Sequence, residues 1–274
     1  MLKKEKHINI ILGILLWILS LTILIPLVMI LLNSVKNVTE SAVMSLKLPT
    51  EIHLENYLEV LKDDKLVRSF FNSVFLSVGS CVLTMVLSSL AAFTLSRRRT
   101  KAGRIIYIII LLGLVAPINY ITTVKVMQYF HIINTLPGAM LLYTAQYIPF
   151  TVFIYYGFIG SGPRTLDEAA IIDGCGSIRL FFQIIFPLLK PVTMTAVVLN
   201  FLSCWNDFIV PLYFLNSSEK WGMIMLMYNY FSTFVSSWNL VCAVMVVNII
   251  PILLLYIFGQ KYLVSGMTAG AVKG

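Results

Sequence analysis

The sequence predicts an all-α integral membrane protein with six transmembrane helices and both termini cytoplasmic. Three observations carry this expectation. The 274 residues are 59% hydrophobic and only 12% charged, with a mean hydropathy of +0.90, whereas soluble domains are about half apolar and about a quarter charged. The apolar residues gather into six runs near the ~20 residues that cross a ~30 Å hydrocarbon core. Lysine and arginine are distributed unevenly between the segments that join those runs.

The first run, 8–32, follows Lys3, Lys4 and Lys6. It is longer than a signal-peptide core and lacks a small-residue cleavage site after it, so it reads as an uncleaved anchor. Pro26 is tolerated there because neighbouring helices can satisfy the freed carbonyl. The other runs are 70–95, 105–125, 137–159, 191–214 and 240–259. Several contain proline or polar residues, as helices do when they face one another around a pathway. The chain has little room for a separate soluble domain, so 1–274 reads as one membrane domain.

Charge sets the orientation. With the amino terminus inside, the cytoplasmic segments hold the three lysines before the first run, five basic residues in 96–104, then Arg164, Arg179 and Lys190, and finally Lys261 and Lys273. The outer segments hold Lys36, Lys47, Lys62, Lys65, Arg68, Lys125 and Lys220, nearly cancelled by acids. The formal charge of +8 thus reads as a topology signal, and no basic face interleaved with aromatics points to nucleic acid. Cys81, Cys175, Cys204 and Cys242 include no CxxC pair, which argues against a disulfide or zinc framework.

The informative segment is the cytoplasmic loop 160–190. Thr165 and Glu168 have capping-box spacing and predict a helix start; Asp167 and Glu168 in its first turn complement the helix dipole. Gly174 suits the left-handed conformation that ends a helix. A second helix over about 177–186 places Ile178, Phe181, Phe182 and Ile185 on one apolar face suited to a membrane interface. Pro187 and Pro191 then break the chain before the fifth run. Periodicity alone leaves two readings open: a plain amphipathic connector, or an element that docks on a partner.

Glu168-Ala169-Ala170, Gly174 four residues after Ala170, then Ile184 and Pro187 resemble the EAA loop of ABC importer permeases. Phe186 stands where that pattern has leucine. Asn56-Tyr57, Asn72-Ser73, Trp205-Asn206-Asp207-Phe208 with Pro211-Leu212, and the tail from Gln260 to Gly274 extend the resemblance over nearly the whole chain. The sequence is similar to the MalG-like permeases of maltose-type carbohydrate importers.

The resemblance implies a type I ABC importer permease fold in the bacterial plasma membrane. It also implies a second, MalF-like permease, a homodimeric ABC ATPase and an extracellular sugar-binding protein as partners, besides the lipid bilayer. Glu168, Ala169, Ala170, Asp173, Gly174, Ile184 and Pro187 would couple to the ATPase. Gly266, Thr268, Gly270 and Lys273 in the tail 260–274 would reach between the ATPase subunits, where composition alone reads a disordered terminus. In the outer segment of about 215–239, Trp221, Tyr228, Tyr230 and Trp238 would meet the binding protein; the alternative is an interfacial hairpin. Asn206 and Asp207 are candidate pathway residues. Asp207 is the one acid inside an expected span, costing ~2.5–3.5 kcal/mol at mid-membrane unless it faces the bundle or water, and an internal hydrogen bond that fixes packing reads equally well.

Other classes fit less well. A secondary transporter places ionisable groups for coupling at mid-membrane and shows repeats. A channel needs a filter loop or charged ring. An enzyme needs converging catalytic or metal residues, and His7, His53 and His131 are far apart. No catalytic residue, metal site or cofactor is expected. The phosphate-binding GxxxxGK[ST] pattern is missing, so ATP hydrolysis would belong to another polypeptide.

Overall fold

In a computed structural model, residues 2–98, 100–116, 118–233 and 237–271 are described, with side chains over 12–13, 15–98, 100–116, 118–228 and 237–260. The regular elements among them are helical: α1 Leu2–Ser34, α2 Val38–Ser41, α3 Glu55–Lys62, α4 Asp64–Arg97, α5 Lys101–Val115, α6 Tyr120–Tyr129 and α7 Leu136–Ser161. There follow α8 Thr165–Ile172, α9 Ser177–Leu180, α10 Phe186–Leu188, α11 Lys190–Trp205, α12 Ile209–Phe214, α13 Met223–Thr233 and α14 Trp238–Ala271. Three described segments are long and apolar enough to cross a membrane: Leu15–Ser34, Asp64–Arg97 and Trp238–Gln260. The segment Ser177–Leu188 with Lys190–Trp205, bent by 73°, makes a fourth, broken candidate. On α1, Leu16, Trp17 and Ile23 are 64%, 72% and 69% exposed. Such a surface suits lipid and would drive a soluble chain to aggregate.

The apolar runs do not all become single helices. The third, 105–125, is divided between α5 and α6. Ala116 has φ −72° and ψ 118°, the extended conformation imposed on a residue preceding proline. Asn119 then caps α6 through a bond from the Thr122 amide at 3.1 Å, satisfying one of the donors a helix start leaves open. The fifth run, 191–214, is divided at Asn206–Phe208 into α11 and α12. In contrast, α14 continues beyond 259 to Ala271. α7 has 26 residues but carries four tyrosines, Gln146 and two prolines, so its wall is more polar than those of α1 and α14.

The chain forms two compact units, residues 1–67 with 226–250, and 68–225 with 251–274. The first unit is organised by buried polar groups beyond α1. Lys36 is 1% exposed, and its Nζ donates to Asn33 Oδ1 at 3.0 Å, Ser45 O at 2.7 Å and Ser45 Oγ at 3.2 Å. Its three donors all have acceptors, the condition for burying an ammonium without an adjacent carboxylate. Asn56 donates to the carbonyls of Ser34 and Lys36 at 2.9 Å each and accepts from Asn239 Nδ2 at 2.8 Å, while Tyr57 Oη lies 2.6 Å from Ser34 Oγ. The Asn56-Tyr57 pair thus clips α3 to the end of α1.

The second unit packs α4, α5, α7 and α11 at close range, and small residues permit it. Ala92, Ala139 and Ala196 are fully buried. A Cβ on Gly113 of α5 would stand 2.7 Å from Pro149 Cγ of α7, and one on Gly138 would collide with the Ile132 carbonyl oxygen in the connection before α7. Tyr107 of α5 stacks on Tyr156 of α7 with ring centroids 3.9 Å apart. At the opposite end of α4, Asn72 donates to the carbonyls of Glu219 and Trp221 at 2.9 and 3.0 Å, and Ser73 Oγ accepts from the Met223 amide at 2.8 Å. This pins the start of α13 to α4.

Candidate functional site

The loop between α7 and α11 begins with α8, which starts at Thr165 as its spacing predicts, but by another device. Arg164 is the N-cap with no side-chain cap bond, and the amides of Asp167 and Glu168 bond to the Arg164 carbonyl at 3.0 and 3.1 Å. The capping box does not form, because Thr165 is already the first helical residue and Arg164 holds the N-cap position; Asp167, not Glu168, is the acid drawn into the protein. Asp167 Oδ2 lies 2.6 Å from Arg97 Nε and Oδ1 accepts from Arg97 Nη2 at 3.4 Å. The two side chains are 15% and 12% exposed, Arg97 first. One hydrogen bond from Nη2 and a close charge contact at Nε, with little water around them, hold the two groups together. The ion pair joins the last residue of α4 to the first turn of α8.

The rest of α8 divides by face. Ala170 is buried with Asp167, whereas Glu168 and Ala169 are exposed. Gly174 has φ +77°, the left-handed conformation predicted for it. The Cys175 amide bonds to the Ala170 carbonyl at 2.9 Å and the Gly174 amide to the Ile171 carbonyl at 3.0 Å, the paired pattern of a Schellman stop. Asp173, which closes α8, is exposed along with Gly174. Leu166, Ile171 and Ile172 are 44%, 61% and 84% exposed. The outward surface of α8 is thus a carboxylate, a small residue and an apolar rim.

The second helix of the loop differs from expectation. Residues 177–186 do not make one amphipathic α-helix; α9 passes into a π-helical turn at Phe181–Ile185 and then into α10. The wider turn changes the register of the side chains. Leu180, Phe181 and Ile185 are buried, whereas Ile178 and Phe182 are 77% and 53% exposed. The buried set joins one cluster with Ala92 of α4, Val152, Tyr155 and Ile159 of α7, and Leu189 and Val192 at the start of α11. Ile184 and Phe186 pack against its edge and Pro187 is exposed. The loop is therefore anchored to three long helices by an apolar core and to α4 additionally by an ion pair.

Asp207 lies in the break between α11 and α12, not inside a continuous helix. Its Oδ2 accepts from Tyr143 Oη and the Val210 amide, both at 2.9 Å, and its Oδ1 accepts from the Ile209 amide at 3.1 Å. The carboxylate closes the start of α12 and ties it to α7. Asn206 is exposed, its Nδ2 donating to the Leu202 carbonyl at 2.9 Å.

Of the outer aromatic residues, Trp221 turns inward: its Nε1 donates to the Leu215 carbonyl at 2.9 Å, and its ring packs against the cluster containing Leu76, Tyr143 and Phe214. Tyr228 is 63% exposed and Trp238 half-buried; the side chain of Tyr230 lies outside the described residues. Gly266, Thr268 and Gly270 belong to the backbone of α14. Their side-chain environment and the whole of Lys273 lie outside the described residues. Arg97 and Tyr143 carry geometry that the sequence does not single out: Arg97 is one of five basic residues in 96–104, and nothing in the α7 sequence separates Tyr143 from its other tyrosines.

A helical chain with long lipid-suited helices, and a two-helix loop clamped to α4, α7 and α11, has the construction of a membrane permease subunit. The similarities to known proteins agree. This chain belongs to the family described as the binding-protein-dependent transport system inner membrane component, whose sequence model matches residues 71–264. It is 35% identical over 278 aligned residues, 99% of this chain and 100% of the relative, to the multiple sugar-binding transport system permease protein MsmG of Streptococcus mutans. It is 33% identical over 271 residues, 98% of this chain and 97% of the relative, to the probable starch degradation products transport system permease protein AmyC of Thermoanaerobacterium thermosulfurigenes. Its fold is that of a chain in a bacterial ABC transporter involved in the import of the acidic polysaccharide alginate, with a TM-score of 0.83, 23% identity, and coverage of 94% of this chain and 97% of that one.

Proposed function

We propose that this chain is one of two permease subunits of an ATP-binding-cassette importer, passing a di- or oligosaccharide from an external binding protein across the bacterial plasma membrane. The observation that carries the reading is the division of α8. Asp167 and Ala170 hold it to the membrane helices, and Glu168 and Ala169 face outward for a partner. A lever needs both a fixed and a free face. The ATPase pair would seat on the free face, and its closure would reach α4 through Asp167 and Arg97 as a shift between two packings.

In this reading 1–274 is one domain of six crossings with both ends cytoplasmic, the third and fifth crossings being broken at Ala116–Asn119 and Asn206–Phe208. Discontinuous helices put backbone groups and a carboxylate where a polar pathway can use them. Asn206 and Asp207 then border the pathway, Tyr228, Tyr230 and Trp238 remain candidate contacts for the binding protein together with the partly packed Trp221, and the end of α14 approaches the ATPase pair. The sugar assignment draws on what MsmG and AmyC are named for.

The test is copurification in detergent of wild type and Glu168→Arg with their natural partners. The expected result is a complex of two different permeases with an ATPase pair, depleted of the ATPase in the variant. Wild type that purifies alone, with transport persisting when every ATPase is removed, would instead make the chain a secondary carrier.

A further inference from the structure

Where α4 ends and α5 begins, three cations converge with no acid among them. Arg98, Lys101 and Arg104, with Leu95, Thr100 and Tyr156, line a cleft of about 480 Å³. No carboxylate lies within ion-pair distance of the three among the described residues. This separates them from neighbouring Arg97, which is committed to Asp167. Thr100 is also committed, as the N-cap of α5, accepting from the Gly103 amide at 3.0 Å. The charges therefore stand around a space large enough for a small ligand, with the phenol of Tyr156 and the side chain of Leu95 beside it.

A second observation concerns what adjoins the cleft. Further along α5, Ile108 on the face of Arg104 is 50% exposed, and Ile105, Ile109 and Leu112 on the adjoining face are 58%, 61% and 60% exposed. A cationic cleft at the foot of a helix with an exposed aliphatic surface complements the two parts of a phospholipid, an anionic headgroup and a hydrocarbon chain. Basic pockets at helix ends recognise lipid headgroups by this charge pattern. A helix that begins there also presents its positive end to an anion.

We propose that the cleft formed by Arg98, Lys101, Arg104 and Tyr156 is a binding site for a phosphate monoanion or diester, filled by the headgroup of an anionic glycerophospholipid whose acyl chains lie along α5. Arg98 and Arg104 hold the phosphate oxygens by their planar forks, and Lys101 supplies a third, mobile charge. Free inorganic phosphate shares the headgroup chemistry but has no use for the aliphatic face. Each basic residue near a membrane surface contributes about fivefold to the affinity for anionic lipid, so removing three lowers it on the order of a hundredfold.

The experiment uses the assembled transporter in phosphatidylcholine nanodiscs carrying a small fraction of phosphatidylglycerol, and compares wild type, Arg98→Gln/Lys101→Gln/Arg104→Gln, and the charge-keeping Arg98→Lys/Arg104→Lys. Retained phosphatidylglycerol is counted by native mass spectrometry after detergent washing, and radiolabelled inorganic phosphate binding is measured in pure phosphatidylcholine discs. A photoactivatable phosphatidylglycerol is mapped onto wild type, which needs no variant to fold. Retention by wild type, its loss in the triple glutamine variant, and labelling near residues 95–109 support the lipid site. Phosphate binding with no lipid retention keeps the anion site and overturns the lipid as its source. Equal retention in wild type and glutamine variant, labelling elsewhere only, or cations shielded in wild type by the ATPase each overturn the proposal.

Discussion

Arg97 Nε and Asp167 Oδ2 stand 2.6 Å apart, across 70 residues of sequence, and make the one polar contact that ties the first turn of α8 to the end of α4 among the described residues. The apolar cluster around Phe181 and Ile185 would hold the loop near the helices without it. What the ion pair adds is rotation: it fixes which face of α8 points outward. Breaking it with Arg97→Gln or Asp167→Asn should lower stability by about 2 kcal/mol, the cost of a charge-assisted bond left half-made. The double variant should be less damaged than the sum of the two. Unfolding midpoints of all four proteins in detergent check this. Strictly additive losses would mean that the contact contributes no coupling energy.

Gly174 supplies a separate prediction because nothing crowds it. A Cβ there would meet no atom within 4 Å, so the only cost of Gly174→Ala is that of holding φ +77° with a side chain, about 1–2 kcal/mol. Gly176→Ala, also in open space but without a positive φ, should be nearly neutral. Comparing the two midpoints separates backbone strain from packing. Equal effects would show that the turn relaxes freely.

The pin between α4 and α13 can be cut at a single atom. Ser73→Ala removes the acceptor of the Met223 amide, in a place where both residues are buried. An orphaned buried donor costs about 1–3 kcal/mol. Hydrogen exchange at the Met223 amide should accelerate in the variant while amides of α7 stay protected; unchanged exchange at Met223 would show that water or another group takes over.

The features legible in the sequence are those whose cause is local. Gly174 could be placed because the left-handed stop depends on the residue itself, and the start of α8 because charge and polarity change there. The division of 105–125 had its signal in Ala116-Pro117 and Asn119, but the apolar run outweighed it. The π turn at Phe181–Ile185 is illegible because helical periodicity runs at 3.6 residues per turn, whereas burial here is set by Ala92, Tyr155 and Val192 on other helices. Arg97 looked like its neighbours Arg98 and Arg104, and only the fold distinguishes the paired cation from the unpaired ones. Burial of Lys36 is hidden for the same reason, since two of its three acceptors come from Ser45, nine residues away.

Asp207 allows a prediction that separates the two roles open to it. Its three accepted bonds all come from the protein: Tyr143 Oη and the Val210 amide on one oxygen, the Ile209 amide on the other. Asparagine can reproduce the two bonds to one oxygen but sets its amide nitrogen against a donor at the other, so Asp207→Asn should cost about 1 kcal/mol, and Asp207→Ala, which frees three donors, about 3 kcal/mol. Tyr143→Phe removes one bond and should resemble the asparagine variant. A carboxylate that serves only to close the break after Trp205 predicts that transport falls in the same order as stability, with an unchanged KM for sugar in the folded fraction. A carboxylate that also receives sugar hydroxyls predicts a raised KM in Asp207→Asn that Tyr143→Phe does not share. Uptake kinetics in proteoliposomes, normalised to folded protein, distinguish them. The geometry favours the first outcome, because both oxygens are already occupied by the helix they cap and the tyrosine behind it.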